Sequence, residues 1–396
     1  MQRTFQILAV LAIISVSLMV GLSQAAPEKD AKFYNTSGLE AFKKGNYDQA
    51  IADFTRAVKL DPKDAIAYHN RGFSYNNKRD FDKALADYNK SIEINPKFAI
   101  AYNDRGLTYL NKKDFDKALA DFSKAIELNP KIDTAYNFRG SIYFYKKDYD
   151  KAIVDFRKAV ELNPRFVLAY NNLGYAYYLK GDPNKAIAEF DKAIAQAPKF
   201  VAPYNNRGLA YLDKKEYDKA MADLNKAIEL DPKCFSCYNK RGLAYYEQKQ
   251  YGKAIAEYSK ATQIDPRYTV AWNNLGLAHF REKSYAKAIS DFNKALQLDP
   301  NYANAYNNRG LAYYDSKSYD RAIADFDKAI QLNPKLAEAY NNRAYACYQK
   351  KLYDKAKEDV HKAQELKYTV DKELVENLAK VPAAPAAAPK APAKKK

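Results

Sequence analysis

Residues 201–234 read VAPYNNRGLAYLDKKEYDKAMADLNKAIELDPKC, and most of the chain can be laid out beneath them. Tyr204, Gly208, Tyr211 and Leu212 recur at spacings of three and four, which puts them on one face of a 3.6-residue helix. Ala220, Met221, Leu224, Ala227 and Ile228 repeat that spacing in the second half of the stretch. The polar pair Lys214 and Lys215 separates the two halves. The Asp231–Pro232 step ends the second, because proline disfavours helical backbone in the residue before it. The stretch therefore reads as helix, turn, helix.

The same proline returns every 34 residues, at Pro62, Pro96, Pro130, Pro164, Pro198, Pro232, Pro266, Pro300 and Pro334. A period that strict marks a repeat array. It gives ten units over 31–370, the last with Tyr368 where the proline would stand. Nine glycines share one repeat position: Gly38, Gly72, Gly106, Gly140, Gly174, Gly208, Gly242, Gly276 and Gly310, with Ala344 in the tenth unit. A glycine inside a helix costs about 1 kcal/mol relative to alanine, so its recurrence predicts a close approach between helices. Small residues (Ala50, Ala84 and onward to Ala356), then aromatics (Phe54, Tyr88, Phe122, Phe156), then further small residues (Ala57, Ser91, Ala125) follow in order. Small residues let helices meet, and the aromatics fill the space left.

This order of aromatic, glycine, tyrosine, alanine, phenylalanine, alanine and proline resembles the tetratricopeptide repeat, and the resemblance covers 31–370. It implies an all-α, right-handed superhelical solenoid of tandem 34-residue helix-turn-helix repeats, the first helix of each lining a concave groove. Such a fold buries each unit only against its neighbours.

Outside the array, Met1, Gln2 and Arg3 precede an apolar run from Ile7 to Leu22 and then Ser23, Gln24 and Ala25. That order predicts a signal peptide over 1–25 and an exported protein, periplasmic or secreted and associated with the cell envelope. An uncleaved anchor is the alternative, although the run is short for a span of about 20 residues. No other segment reads as membrane-spanning. A short linker at 26–30 leads into the array, 371–381 reads as a polar capping helix, and 382–396 as a disordered tail of Pro, Ala and Lys. The net charge of +17 favours anionic partners.

The groove positions implied by the resemblance are rich in asparagine. One row is Asn35, Asn103, Asn137, Asn171, Asn205, Asn239, Asn273, Asn307 and Asn341, with His69 in the second unit. The next position is Asn70, Asn172, Asn206, Asn274, Asn308 and Asn342. An amide carries two donors and an acceptor, so such a ladder suits an extended peptide backbone, the use that family members with an Asn ladder make of it. The candidate groove comprises Asn103, Asn137, Asn171, Asn172, Asn205, Asn206, Asn273, Asn274, Asn307, Asn308, Asn341 and Asn342. Bonding between neighbouring helices is the competing role for these amides. Leu209, Leu243, Leu277 and Leu311, and Phe144, Tyr178, Leu212, Tyr246, Phe280 and Tyr314, lie three or four residues on. They read as packing between repeats or as ligand pockets.

An arginine precedes most of the glycines (Arg71, Arg105, Arg139, Arg207, Arg241, Arg309, Arg343), and every unit has an acid sixteen residues after that position. These predict ion pairs between helices, with Leu173 and Leu275 as exceptions. Lysine rows such as Lys83, Lys117 and Lys151, and Lys90, Lys124 and Lys158, predict a solvated outer face or, alternatively, a track for an anionic envelope polymer. A nucleic-acid partner is not expected of an exported chain.

Cys234 and Cys237 form a C-x-x-C, open between a local disulfide, simple packing, and redox or metal chemistry. Tyr238 in place of His gives no support to haem attachment. Cys347 falls on a core position. The histidines His69, His279 and His361 lie in different repeats, and no phosphate loop or nucleophile elbow is present. The expectation is a non-enzymatic scaffold without cofactor, metal or catalytic residues. It would bind extended segments of other proteins, with an envelope adhesin or assembly factor as the alternative and self-association possible. Pro183, Gln196, Ala197 and Pro203 depart from the pattern and mark a bend or an altered packing between the fifth and sixth units.

Overall fold

A computed structural model describes residues 29–381. The signal peptide read at 1–25, most of the linker and the tail at 382–396 lie outside the described residues. Among the described residues there are 21 helices and no strand. Twenty of them form ten pairs, from Ala31–Lys43 with Tyr47–Leu60 to Ala337–Gln349 with Tyr353–Glu365, and the last, Lys372–Ala379, follows alone. The fold class is the all-α tandem helix-pair array. The chain divides after Ala176 into two compact units. Within each, a first helix packs on its own second helix, and that one packs on the first helix of the next repeat.

Each pair turns at one residue in the left-handed region. Gly45 and Gly181 occupy it at φ 75° and 82°, while Arg79, Lys113, Lys147, Lys215, Lys249, Lys283, Lys317 and Lys351 hold it at 58–62°. Left-handed backbone stops the first helix and lets the second begin two residues later.

The recurring glycines meet a large buried side chain across the pair, an aromatic ring in most repeats and Leu224 opposite Gly208. A Cβ on Gly310 would sit 2.6 Å from the Phe326 ring, and on Gly106 3.0 Å from Phe122. Those rings are fully buried, as are the small residues around them. In the tenth repeat Val360 replaces the ring, and the position opposite is Ala344; both are buried in the terminal core. The glycine is therefore tied to the size of its neighbour.

Pro183 is the first residue of the helix Pro183–Gln196 and Pro203 the third of Val201–Asp213. A first turn has no N–H partner to lose, so both helices run to the same length as their counterparts. Leu374 and Leu378 of the last helix bury themselves against Tyr340, Val360 and Ala363.

Candidate functional site

Residues two, five, six, nine, twelve and thirteen places into each repeat share one stripe of the first helix, because successive steps of three or four return to the same face. The fifth position is the inner edge of that stripe. Asn103, Asn137, Asn171, Asn239, Asn273, Asn307 and Asn341 are at most 8 % exposed there, while Asn35 and Asn205 are half-buried. At the sixth position, Asn172, Asn206, Asn274, Asn308 and Asn342 are all half-buried.

These two rows bond to each other from repeat to repeat. The Nδ2 of Asn172 donates to Asn137 Oδ1 at 3.2 Å, Asn274 to Asn239 at 3.1 Å, Asn308 to Asn273 at 3.0 Å and Asn342 to Asn307 at 3.0 Å. Each rung consumes one of the two N–H groups of a sixth-position amide. Asn137 Nδ2 and Asn341 Oδ1 are buried without a protein partner. The ladder is thus part of the packing between repeats, a use the sequence left open.

Three rungs differ. Asn35 Nδ2 donates to Asp64 Oδ2 at 2.5 Å. His69 Nε2 lies 2.8 Å from Asp104 Oδ2, with the ring enclosed by Phe73, Tyr88 and Phe98. Lys240 takes the sixth position of the seventh repeat, its Nζ donating to the Asn205 carbonyl at 3.1 Å and to Asn206 Oδ1 at 3.4 Å. Its stem is partly exposed but the ammonium is enclosed, and burial pulls its pKa down to about 8.

Beside the amides the stripe is largely apolar at the ninth and twelfth positions, while the thirteenth carries mostly polar residues such as Asp213, Glu247, Arg281 and Asp315. Phe42 packs on Tyr47 of its own repeat and on Phe73 of the next, and Phe144 does the same with Tyr149 and Tyr175. The aromatics at the twelfth position therefore serve packing between repeats, with their outer edges left at the surface. Ser141 stands where neighbours have larger groups and leaves a small cleft lined by Phe144, Phe156, Asn172 and Tyr175. At the second position Ile66, Ile100 and Leu168 are exposed by 58, 49 and 42 %.

The arginines lie behind the stripe. Arg105 forms two parallel bonds to Asp121 at 2.8 and 2.7 Å, and its third nitrogen reaches Asn89 of the preceding repeat at 2.7 Å. Arg71, Arg139, Arg207, Arg241, Arg309 and Arg343 repeat the arrangement. Burial raises the pKa of Asp87 and Asp359 despite their arginines. Where Leu275 replaces arginine, His279 Nδ1 supplies the partner to Asp291 at 2.6 Å. The compensation is invisible in sequence because the two residues are twelve apart and belong to different helices. The lysine rows are paired on the surface, Lys83 with Asp80 and Lys90 with Glu93 among them.

Cys234 and Cys237 are joined, and Cys347 is free and buried. Among the described residues, no group of His, Cys, Asp and Glu is arranged to hold a metal, and no helix is long and apolar enough to cross a membrane.

Comparison with known proteins bears on the repeat itself. Profiles described as "TPR repeat" match residues 38–79, 140–181, 208–249 and 242–283, and profiles described as "Tetratricopeptide repeat" match 65–98, 99–132, 167–200, 269–302, 303–336 and 337–369. No curated protein matches. Among solved structures, the APC/C hetero-tetramer Cut9–Hcn1 is 17 % identical with a TM-score of 0.55, over 86 % of this chain and 82 % of that one. A tetratricopeptide repeat protein of Parabacteroides merdae is 22 % identical with a TM-score of 0.49, over 63 % of this chain and 98 % of its own. At 17 % identity, the likeness to Cut9–Hcn1 is one of fold.

Proposed function

Because the chain belongs to the tetratricopeptide repeat family, a scaffold fold consistent with protein–protein interaction, we propose that it is an exported, non-enzymatic scaffold that holds extended segments of other proteins along its first helices. The supporting observation is the half-buried sixth-position row. Asn172, Asn274, Asn308 and Asn342 each spend one N–H on the ladder, and the carbonyls of Asn172, Asn274 and Asn342 also accept the preceding amide at 3.5 Å. An amide has a second N–H and an oxygen with two lone pairs, so a donor and an acceptor site are left on each. An extended backbone presents N–H and C=O groups in alternation, so it can pair with such a row without selection for its side chains. Ile66, Ile100 and Leu168, and the cleft at Ser141, add apolar contact for side chains along the first unit. Catalysis has no part in this reading, and the site of action is the periplasm or the outside of the cell.

The test uses residues 26–396 against a library of extended peptides, with Asn172, Asn206, Asn274 and Asn308 changed to Ala and the helix content verified. Loss of peptide binding at unchanged fold supports capture by the amide row. Binding that survives the substitutions but disappears as salt rises transfers the function to the basic face and an anionic polymer.

A further inference from the structure

The Cys234–Cys237 pair has features that neither scaffolding nor packing uses. Cys234 is the N-cap of the helix Phe235–Glu247, and its sulfur accepts the Cys237 N–H at 3.3 Å. The Ser236 hydroxyl lies 3.5 Å from the same sulfur. A thiolate at Cys234 would therefore meet a backbone donor, a hydroxyl donor and the positive end of a helix. Accessibility separates the two sulfurs: Cys237 is wholly buried, whereas Cys234 is partly exposed. Only one sulfur is open to attack.

The surroundings add a charge. Ser236 accepts the Asn205 amide at 3.4 Å, and the enclosed Lys240 ammonium, one turn further along the helix, sits on the Asn205 carbonyl. A purely structural bridge explains little here. A disulfide three residues apart closes too small a loop to restrict the unfolded chain by much.

We propose that Cys234 and Cys237 form a thiol–disulfide exchange site whose co-reactant is a thiol. An incoming thiolate attacks Cys234 Sγ, the Cys234–Cys237 bond breaks, and Cys237 leaves as a thiolate that takes up a proton. The new bond is a mixed disulfide at Cys234. A second co-reactant thiolate attacks the co-reactant sulfur of that bond and releases Cys234, whose thiolate is held by the Cys237 N–H and the Ser236 hydroxyl. Two co-reactant thiols are oxidised to one disulfide, and the protein's disulfide is reduced to two thiols by the two electrons gained. The reverse sequence oxidises the pair again. This site is independent of peptide capture by the amide row, and Cys347, whose pKa burial pushes up, is the internal control.

The test uses residues 26–396 in native buffer with mixtures of reduced and oxidised glutathione and, separately, with a reduced, unfolded, cysteine-containing polypeptide. Free thiols are counted by alkylation and mass spectrometry, and Cys237→Ser traps the mixed disulfide. The expected result is reversible reduction with helix content retained and adducts on Cys234. Cys234 in the reduced, unadducted Cys237→Ser variant should titrate below the ordinary thiol value of about 8.5 and react at least about tenfold faster than Cys347. Exchange with glutathione alone, or with the polypeptide alone, supports the site and assigns its thiol. Reduction only on unfolding, or a Cys234 that reacts no faster than Cys347, overturns it. Should Cys237→Ser fail to fold, the wild-type exchange decides the matter.

Discussion

The second helices of repeats one to five and of repeats six to nine share length and spacing, and that of the tenth is one residue shorter, yet the two groups begin differently. In the first group Asn46, Asp80, Asp114, Asp148 and Asp182 each accept the N–H three residues on. In the second group Glu216, Gln250, Ser284, Ser318 and Leu352 make no such side-chain bond. Four of the caps also hold the lysine three residues on, as Asp114 holds Lys117 at 2.9 Å and Asp182 holds Lys185 at 2.7 Å. At the ring position the cores differ only where Leu224 and Val360 replace the ring in the second group, so the unequal ends make helix starts a main source of local difference in stability. Amides at those starts should exchange more slowly in the first group.

Four measurements test that contrast, read by hydrogen exchange and denaturant unfolding because an array need not unfold as one unit. The largest effect belongs to the buried ion pairs common to both groups. Asp121→Ala and Asp325→Ala should each cost about 3 kcal/mol or more by stranding an arginine; a large difference between them would place the contrast in the core. Next come the glycines. Gly106→Ala and Gly310→Ala should cost about 1–3 kcal/mol by overpacking, with Gly310 the worse because its ring is closer, and Phe326→Val should recover part of that loss. The caps themselves are smaller: Asn46→Ala should lose about 1 kcal/mol, and Leu352→Asp should gain about as much.

The smallest effect is the dependence on acid. The side-chain bonds from Lys83, Lys117, Lys151 and Lys185 hold Asp80, Asp114, Asp148 and Asp182 below the usual carboxylate range. A depressed folded pKa means the contribution is complete above the unfolded value of about 3.9 and is lost as pH falls through the folded one. Exchange at the starts of second helices in repeats two to five should therefore accelerate below about pH 4. Repeats seven to nine, with Gln250, Ser284 and Ser318, should show no such step. Glu216 is also held low, by Lys214 and Lys219, so the sixth repeat should respond to acid despite lacking a cap.

Periodicity made much of this legible. The helix pairs, the close approach at the glycines and the seven Arg–acid pairs all follow from residues at fixed offsets within one unit. The parts that escaped depend on geometry between units or on substitutions that offset one another. Asn308 and Asn273 are 35 residues apart, one more than the period, so a row-by-row reading sees two columns rather than one hydrogen-bonded ladder. The exchange of Gly and Phe for Ala344 and Val360 needs the knowledge that the two positions touch. Ser284 and Ser318 are good cap residues by type, but their side chains do not make the bond, and nothing in the pattern distinguishes them from Asp114. The two cysteines were visible at once; the donors around Cys234 were not.

The third nitrogen of each arginine gives the array a grain. Arg105 reaches sixteen residues forward to Asp121 and sixteen back to Asn89, so every guanidinium is shared property of two adjoining repeats. An unequal crossing-over that adds or removes 34 residues would leave most of these forks facing a polar residue of the right kind, the exception being Arg157, which stands at that position opposite Leu173. A gain or loss of any other length would strand one. Among descendants of such a gene, length should vary in whole repeats, like a staircase that can be extended only by complete steps.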